Sequence, residues 1–429
     1  MGFLSHPIAK LYYLNPKMKF PPIKKLIHDW NHVTPPPKRK KPVSLADETL
    51  RDGLQSPSIV DPPLAKKIEI LHLMERLGIQ SVDLGLPGAG VHAKEDILYL
   101  AKEIVANKMK IRPYCAVRTV LSDLEPLVEI SQKAGIPIEA AAFIGSSPIR
   151  IYAEEWTLAQ MLKLSEEAVT FCVKHKLPVM YVTEDTTRAA PEVIRRLYTA
   201  AIECGAKRIT VCDTVGYVTP PGVKSVIKFV QQVVKKTGEK VKIDWHGHRD
   251  RDLSVINSLA AVEAGVDQVH ATGIGIGERV GNTPMDLLLV NLKLEGYIKQ
   301  DLTALPEYLQ KISEAVGKPI PDNYPVFGKD AFRTATGVHA AAVIKAKKKG
   351  DNWLADRVYS GVPAGLFGRA QEIEIGFMSG ASNVNFWLES RGVKPTQNLV
   401  SAILNKAKHS NHILTDEEIW SVVKNSQNH

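Results

Sequence analysis

Val43-Ser44-Leu45-Ala46-Asp47-Glu48-Thr49-Leu50-Arg51-Asp52-Gly53-Leu54-Gln55 is the stretch on which the rest of the chain turns. A short apolar run, Val43 to Asp47, stops abruptly in charged and polar side chains. The segment beyond it, Pro63 to Leu77, carries apolar residues at helical spacing, and Gly78 supplies a helix stop. This is a strand, a polar loop and a helix, in that order.

The same unit recurs down the chain. Further candidate strands are Ser81 to Gly85, Arg112 to Val117, Ala140 to Gly145, Val179 to Glu184, Arg208 to Asp213, Lys242 to His246 and Gln268 to Thr272. Helix-like segments such as Leu253 to Ala264 follow them, and Gly135, Gly205 and Gly265 mark stops like that at Gly78. Eight strand–helix units between residues 43 and 299 predict an α/β fold, a TIM (β/α)8 barrel. From residue 300 to 429 the alternation is lost, and a mostly helical appended region is expected. Residues 1–42 form a basic, Pro-rich arm that ends in Pro35-Pro36-Pro37-Lys38-Arg39-Lys40-Lys41.

The charge of +9 is concentrated in that arm, where nine Lys or Arg up to Lys41 face only Asp29. The remainder is close to neutral, so no nucleic-acid-binding face is expected. No apolar run approaches a membrane span, and the first thirty residues lack the apolar core of a secretory leader. Cys115, Cys172, Cys204 and Cys212 form no CxxC pair and read as reduced core thiols. A cytoplasmic protein is expected.

In a TIM barrel the working residues lie at the C-terminal ends of the strands. His246 and His248 are two apart at such an end, so both imidazoles face one side. Asp52, at the end of the first strand, completes a two-histidine, one-carboxylate donor set, with Thr214 and Asn282 expected on the same rim. Imidazole and carboxylate accept Mg, Mn, Zn, Co or Fe alike. Arg51 places a guanidinium where negative charge would develop on a keto oxygen, and Thr214 offers a hydroxyl to a substrate carboxylate. The loop Gly273 to Asn282 has four glycines, among them Gly275 and Gly277, which allow close backbone approach to a ligand beside Glu278 and Arg279.

Asp47 to Gln55, His246-Gly247-His248 and Gly275 to Asn282 together resemble the motifs of the DRE-TIM metallolyases. Within them the chain resembles the 2-isopropylmalate, homocitrate, citramalate and Re-citrate synthases, from about residue 43 to residue 390. The resemblance implies a divalent metal, Mg or Mn first and Zn or Co also compatible, at Asp52, His246 and His248 with Asn282 close by. It implies a Claisen condensation of acetyl-CoA with a 2-oxo acid, followed by thioester hydrolysis. Arg51 would stabilise the developing alkoxide, Thr214 would hold the carboxylate and Glu184 would face substrate. His339, in Gly328 to His339, would be the base, reaching the active site of the other subunit of a homodimer.

Several positions depart from the pattern. His248 is followed by Arg249-Asp250 rather than Asn-Asp, and Leu54 replaces the usual Glu, as in the lyase that cleaves 3-hydroxy-3-methylglutaryl-CoA. That lyase uses a Cys after the eighth strand, and here no Cys lies beyond Cys212. Where relatives carry a second acid–base Tyr, this chain has Trp353, with Tyr359 six residues later. Met180 replaces the Arg by which homocitrate synthases read a long dicarboxylate, whereas Arg150 could pair with a second substrate carboxylate. The expectation therefore leans to a Re-citrate synthase using oxaloacetate over a 2-isopropylmalate synthase using 2-oxoisovalerate. Lyase cleavage and a non-catalytic keto-acid sensor stand as alternatives.

Overall fold

The computed structural model describes residues 26–28, 30–32 and 42–427. The Pro-rich basic run Pro35 to Lys41 lies outside the described residues. From residue 42 on, the described chain divides into two compact units, one running to Ile320 and one beginning at Pro321.

The first unit is a closed barrel of eight parallel strands in chain order: β1 (Ser44–Asp47), β2 (Ser81–Asp83), β3 (Arg112–Arg118), β4 (Glu139–Gly145), β5 (Val179–Glu184), β6 (Arg208–Asp213), β7 (Lys242–Gly247) and β8 (Gln268–Ala271). It closes where Ser44 pairs with Gln268 and Asp47 with Ala271. Each predicted strand is present, with ends displaced by no more than two residues.

Local chemistry sets the helices between them. Thr157 and Gln160 form a reciprocal capping box at the start of Leu158–Lys174, and Pro191 and Pro220 open their helices at a position that needs no N–H donor. Gly135 and Gly265 end theirs with φ of 72° and 100°, a backbone conformation other residues adopt only under strain.

Along each strand alternate residues enter the barrel. Ala46, Tyr114, Ala141 and Met180 pack together inside it, with Val182 against them. The axis nearer the strand starts is polar: Arg208 donates to Asp244 at 2.8 Å and to Gln268 at 3.3 Å. The helix Leu305–Val316 belongs to this unit. Its Tyr308 hydroxyl donates to the buried carboxylate of Asp47 and lies 3.2 Å from the Thr49 hydroxyl.

The second unit is mostly helical. Helices Ala381–Ser390, Gln397–Lys408 and Asp416–Gln427 enclose a core of Ile375, Val384, Trp387, Leu388, Ile403 and Leu414. The helix Gly337–Lys348 packs Ala340, Val343 and Ile344 around Ile373, on one strand of a two-stranded parallel pair, Arg333–Thr334 with Glu372–Ile373. Among the described residues no helix is long and apolar enough to cross a membrane. Cys115, Cys172 and Cys212 are buried, Cys204 is half-buried, and all four are free thiols.

Candidate metal centre and active site

The strand ends bring Asp52, His246 and His248 together, with one donor atom from each lying within 4.8 Å of the others. The two Nε2 atoms are 3.1 Å apart, and Asp52 Oδ2 is 3.5 Å from that of His246 and 3.8 Å from that of His248. Two ring nitrogens and a carboxylate oxygen converging on one buried point form a donor set suited to a divalent cation. Asn282 belongs to it: its amide donates to Asp52 at 2.8 Å, and its buried Oδ1 has no hydrogen-bond partner. The residues therefore fit a divalent metal.

The loop chemistry explains how Asn282 gets there. A Cβ on Gly277, whose φ is 155°, would lie 2.0 Å from Asn282 Oδ1. Gly275 receives the Asn282 N–H on its carbonyl at 3.2 Å. Arg279, which follows Glu278, ties the loop to the end of β7 and β6 by two bonds to Asp250, at 2.7 and 3.0 Å, and one to the Thr214 carbonyl at 2.6 Å. Asp250, two residues past His248, thus serves as the loop's anchor.

Arg51 stands beside the cluster, its Nη1 3.6 Å from Asp52 and its Nε donating to Asp83 at 2.7 Å. Burial works against its charge, but Asp83, Asp52 and Glu48 outweigh burial and push its pKa further up. It is held ionised while one edge remains on the pocket. Burial pushes the His248 imidazole down to about 4, so it is neutral and able to ligate near neutral pH.

The pocket is a cavity of about 280 Å³ whose walls differ in character. One side carries Arg51, Asp52, His246, His248 and Thr214, and the other Ala116, Ala141, Phe143, Met180 and Val182. Thr214 accepts the Asp185 N–H at 2.8 Å on its hydroxyl oxygen, which leaves its proton free for another acceptor. Glu184 lines the mouth and is raised by burial, with Arg150 pulling the other way. Arg150 is also in the lining, and its guanidinium already has Glu154 at 3.1 Å. Glu278 completes the rim.

His339 is not part of the barrel cluster. It lies in the second unit, exposed on the helix Gly337–Lys348 and stacked on Tyr359 with ring centroids 4.2 Å apart. Trp353, by contrast, has the Arg357 guanidinium over its ring at 4.8 Å and a buried Nε1 without partner.

The sequence reading missed the carboxylate beneath the cluster. Glu48 accepts from His246 Nδ1 at 2.8 Å, from His270 Nδ1 at 2.9 Å and from the Tyr114 hydroxyl at 3.1 Å. A signal was present: His270 sits two residues before Thr272 on a strand whose alternate side chains face the axis.

A barrel that gathers two histidines, a carboxylate and a guanidinium at the C-terminal ends of its strands is the architecture of a metal-dependent TIM-barrel enzyme. The chain belongs to the HMGL-like family, whose model matches residues 42–315. It is 30% identical over 389 residues to homocitrate synthase AksA of Methanopyrus kandleri, across 89% of this chain and 92% of that protein. A probable 2-isopropylmalate synthase of the same organism is also 30% identical, across 85% of this chain and 69% of that protein. The resemblance to the isopropylmalate and homocitrate type is therefore borne out. Among solved structures, hydroxymethylglutaryl-CoA lyase from Pseudomonas aeruginosa superposes with a TM-score of 0.54 at 18% identity, over 66% of this chain and 95% of that one, a likeness of fold.

Proposed function

We propose that the protein condenses acetyl-CoA with a 2-oxo acid at the barrel mouth and releases CoA by hydrolysis of the thioester. The observation that carries this reading is the Asp52–His246–His248 cluster opening beside Arg51 onto a pocket large enough for a small organic acid. Asp52, His246 and His248 hold the metal, with Asn282 bracing Asp52. A divalent metal there supplies Lewis acidity toward a keto oxygen and template binding of the adjacent carboxylate.

Arg51 directs its guanidinium at the oxygen on which negative charge grows as the new carbon–carbon bond forms, a fixed donor in a largely water-excluded site. Thr214 donates its free hydroxyl proton to the substrate carboxylate, and Glu184 faces the substrate from the end of β5. Gly275 and Gly277 let the loop backbone approach CoA, with Glu278 and Arg279 on the same rim. His339 takes the proton from the acetyl methyl group, and Tyr359, stacked on it, fills the place of the second acid–base residue. Both belong to the C-terminal unit, and they serve the barrel of the other subunit in a homodimer.

The wall opposite the cluster supports a ranking among 2-oxo acids. Ala116, Ala141, Phe143, Met180 and Val182 offer no partner to a second carboxylate, and Arg150 already has Glu154. An acid with a compact apolar side chain, 2-oxoisovalerate above oxaloacetate, fits this wall best. Arg150 taken alone favours oxaloacetate, and the apolar wall is the ground for ranking 2-oxoisovalerate first. Cleavage of a 3-hydroxy-3-methylglutaryl-CoA type thioester is the second reading, favoured by Leu54 in the Gly53-Leu54-Gln55 turn.

The deciding measurement is free-thiol release from acetyl-CoA with Mg or Mn, run against 2-oxoisovalerate, oxaloacetate, 2-oxoglutarate and pyruvate. Release with 2-oxoisovalerate is expected. Release with none, together with cleavage of 3-hydroxy-3-methylglutaryl-CoA, overturns the synthase reading in favour of the second.

A further inference from the structure

Glu48 stands one residue past the end of β1, 3% exposed, and takes no part in the chemistry above. An ionised carboxylate only accepts hydrogen bonds, so each of its three hydrogen-bond partners donates toward it, and Arg51 Nη2 adds an ion pair at 3.5 Å. His246 Nδ1 bonds one oxygen, and His270 Nδ1 and the Tyr114 hydroxyl share the other. His270 continues to Asp244 through Nε2 at 3.2 Å, and Asp244 is held by Arg208 at 2.8 Å. A chain of alternating charge thus runs along the barrel axis and ends, at its upper end, on a ring whose other nitrogen faces Asp52 and His248.

We infer that Glu48 is a positioning residue for the metal centre: by accepting from His246 Nδ1–H it fixes the ring's tautomer and turns the Nε2 lone pair toward Asp52 and His248, while His270 anchors the carboxylate from the far side. This rests on the metal reading of the site given above. A neutral imidazole carries one proton, and only the nitrogen without it can ligate. A carboxylate behind the ligand settles which nitrogen that is and how the ring is oriented.

Glutamine is the informative replacement, because it has the same shape but one acceptor and one donor end. His270 and Tyr114 both donate to the same side and retain the amide oxygen there. The NH2 end then faces His246 and needs a lone pair at Nδ1. The ring proton moves to Nε2, where it occupies the ligand position.

The test uses the full chain and Mn(II) alone, with free Mn(II) followed by electron paramagnetic resonance. Long-range proton–nitrogen NMR on 15N-histidine protein reads the tautomer of His246, identified as the signal lost in His246→Asn. Expected are a metal-free wild type protonated at Nδ1 and a Glu48→Gln variant that binds Mn(II) about ten- to a hundredfold more weakly with its proton at Nε2. Wild-type protein protonated at Nε2 overturns the inference, and that result needs no variant to fold. So does a Glu48→Gln variant with wild-type Mn(II) affinity. Absence of Mn(II) binding by the wild type overturns the metal reading and this inference with it, a failure told apart from the others because Glu48 plays no part in it.

Discussion

The two sides of the barrel pocket are built on opposite principles. On the side of β1, β7 and β8, Glu48, Asp52, His246, His248 and His270 are each tied to at least one other charged or imidazole group. On the side of β3 to β5, Ala116, Ala141, Phe143, Met180 and Val182 present only shape. Removing one partner from a buried charged set leaves the others uncompensated, at a cost of about 3–5 kcal/mol. Changing the volume of an apolar wall by a methyl group or two costs about 1–3 kcal/mol and leaves nothing unpaired. The charged side is therefore expected to fail as a unit when altered. The apolar side should tolerate substitution and express it as a change of substrate.

The comparison is broken most directly at His246. His246→Ala removes a donor and the group that links Asp52 to Glu48. Turnover is expected to fall by about a thousandfold or more, several kcal/mol of lost transition-state stabilisation. Mn(II) binding should be lost while the far-ultraviolet circular dichroism stays that of the folded barrel. Full activity in this variant would remove the metal assignment and the functional contrast between the two sides.

A smaller effect is expected on the apolar side. Ala116 is buried in the pocket wall, so Ala116→Val takes space from the substrate side chain without touching a charge. Steady-state kinetics should show kcat/KM for 2-oxoisovalerate reduced about tenfold, the worth of a methyl or two in an apolar pocket. Pyruvate, with a shorter chain, should lose much less. Equal losses for both acids would show that this wall does not read the substrate.

How far the molecule was legible in its sequence follows the same division. The eight strands and the convergence of Asp52, His246, His248 and Asn282 were legible because period-two strands and strand-end placement follow from local spacing. Glu48 lay in plain view within the first motif, yet its partners His246, His270 and Tyr114 are 198, 222 and 66 residues away. No local spacing connects them. The helix Leu305–Val316 was read with the appended region, and what ties it to the barrel are contacts distant in sequence, among them the Tyr308–Asp47 bond across 261 residues and the Arg76–Glu307 ion pair at 2.7 Å. The apolar wall was invisible for another reason. Ala116, Ala141, Met180 and Val182 are ordinary strand residues, and only closure of the barrel makes them a wall.

Arg150 lies at the boundary between the two sides and sharpens the comparison with the smallest change. Burial raises Glu184 above its ordinary value, and the charge of Arg150 lowers it. If Glu184 works ionised, activity falls as pH drops through its pKa, and Glu184→Gln flattens that acid limb. Arg150→Ala removes a lowering influence, so the Glu184 pKa rises and the limb moves to higher pH. Turnover of 2-oxoisovalerate on the alkaline plateau should be nearly unchanged, as pH–rate profiles of kcat/KM would show. Were Arg150 instead the partner of a second substrate carboxylate, the variant would lose oxaloacetate affinity at every pH, as a raised KM. The same substitution therefore separates a guanidinium that tunes the rim from one that binds substrate, and with it the apolar acid from the dicarboxylic one.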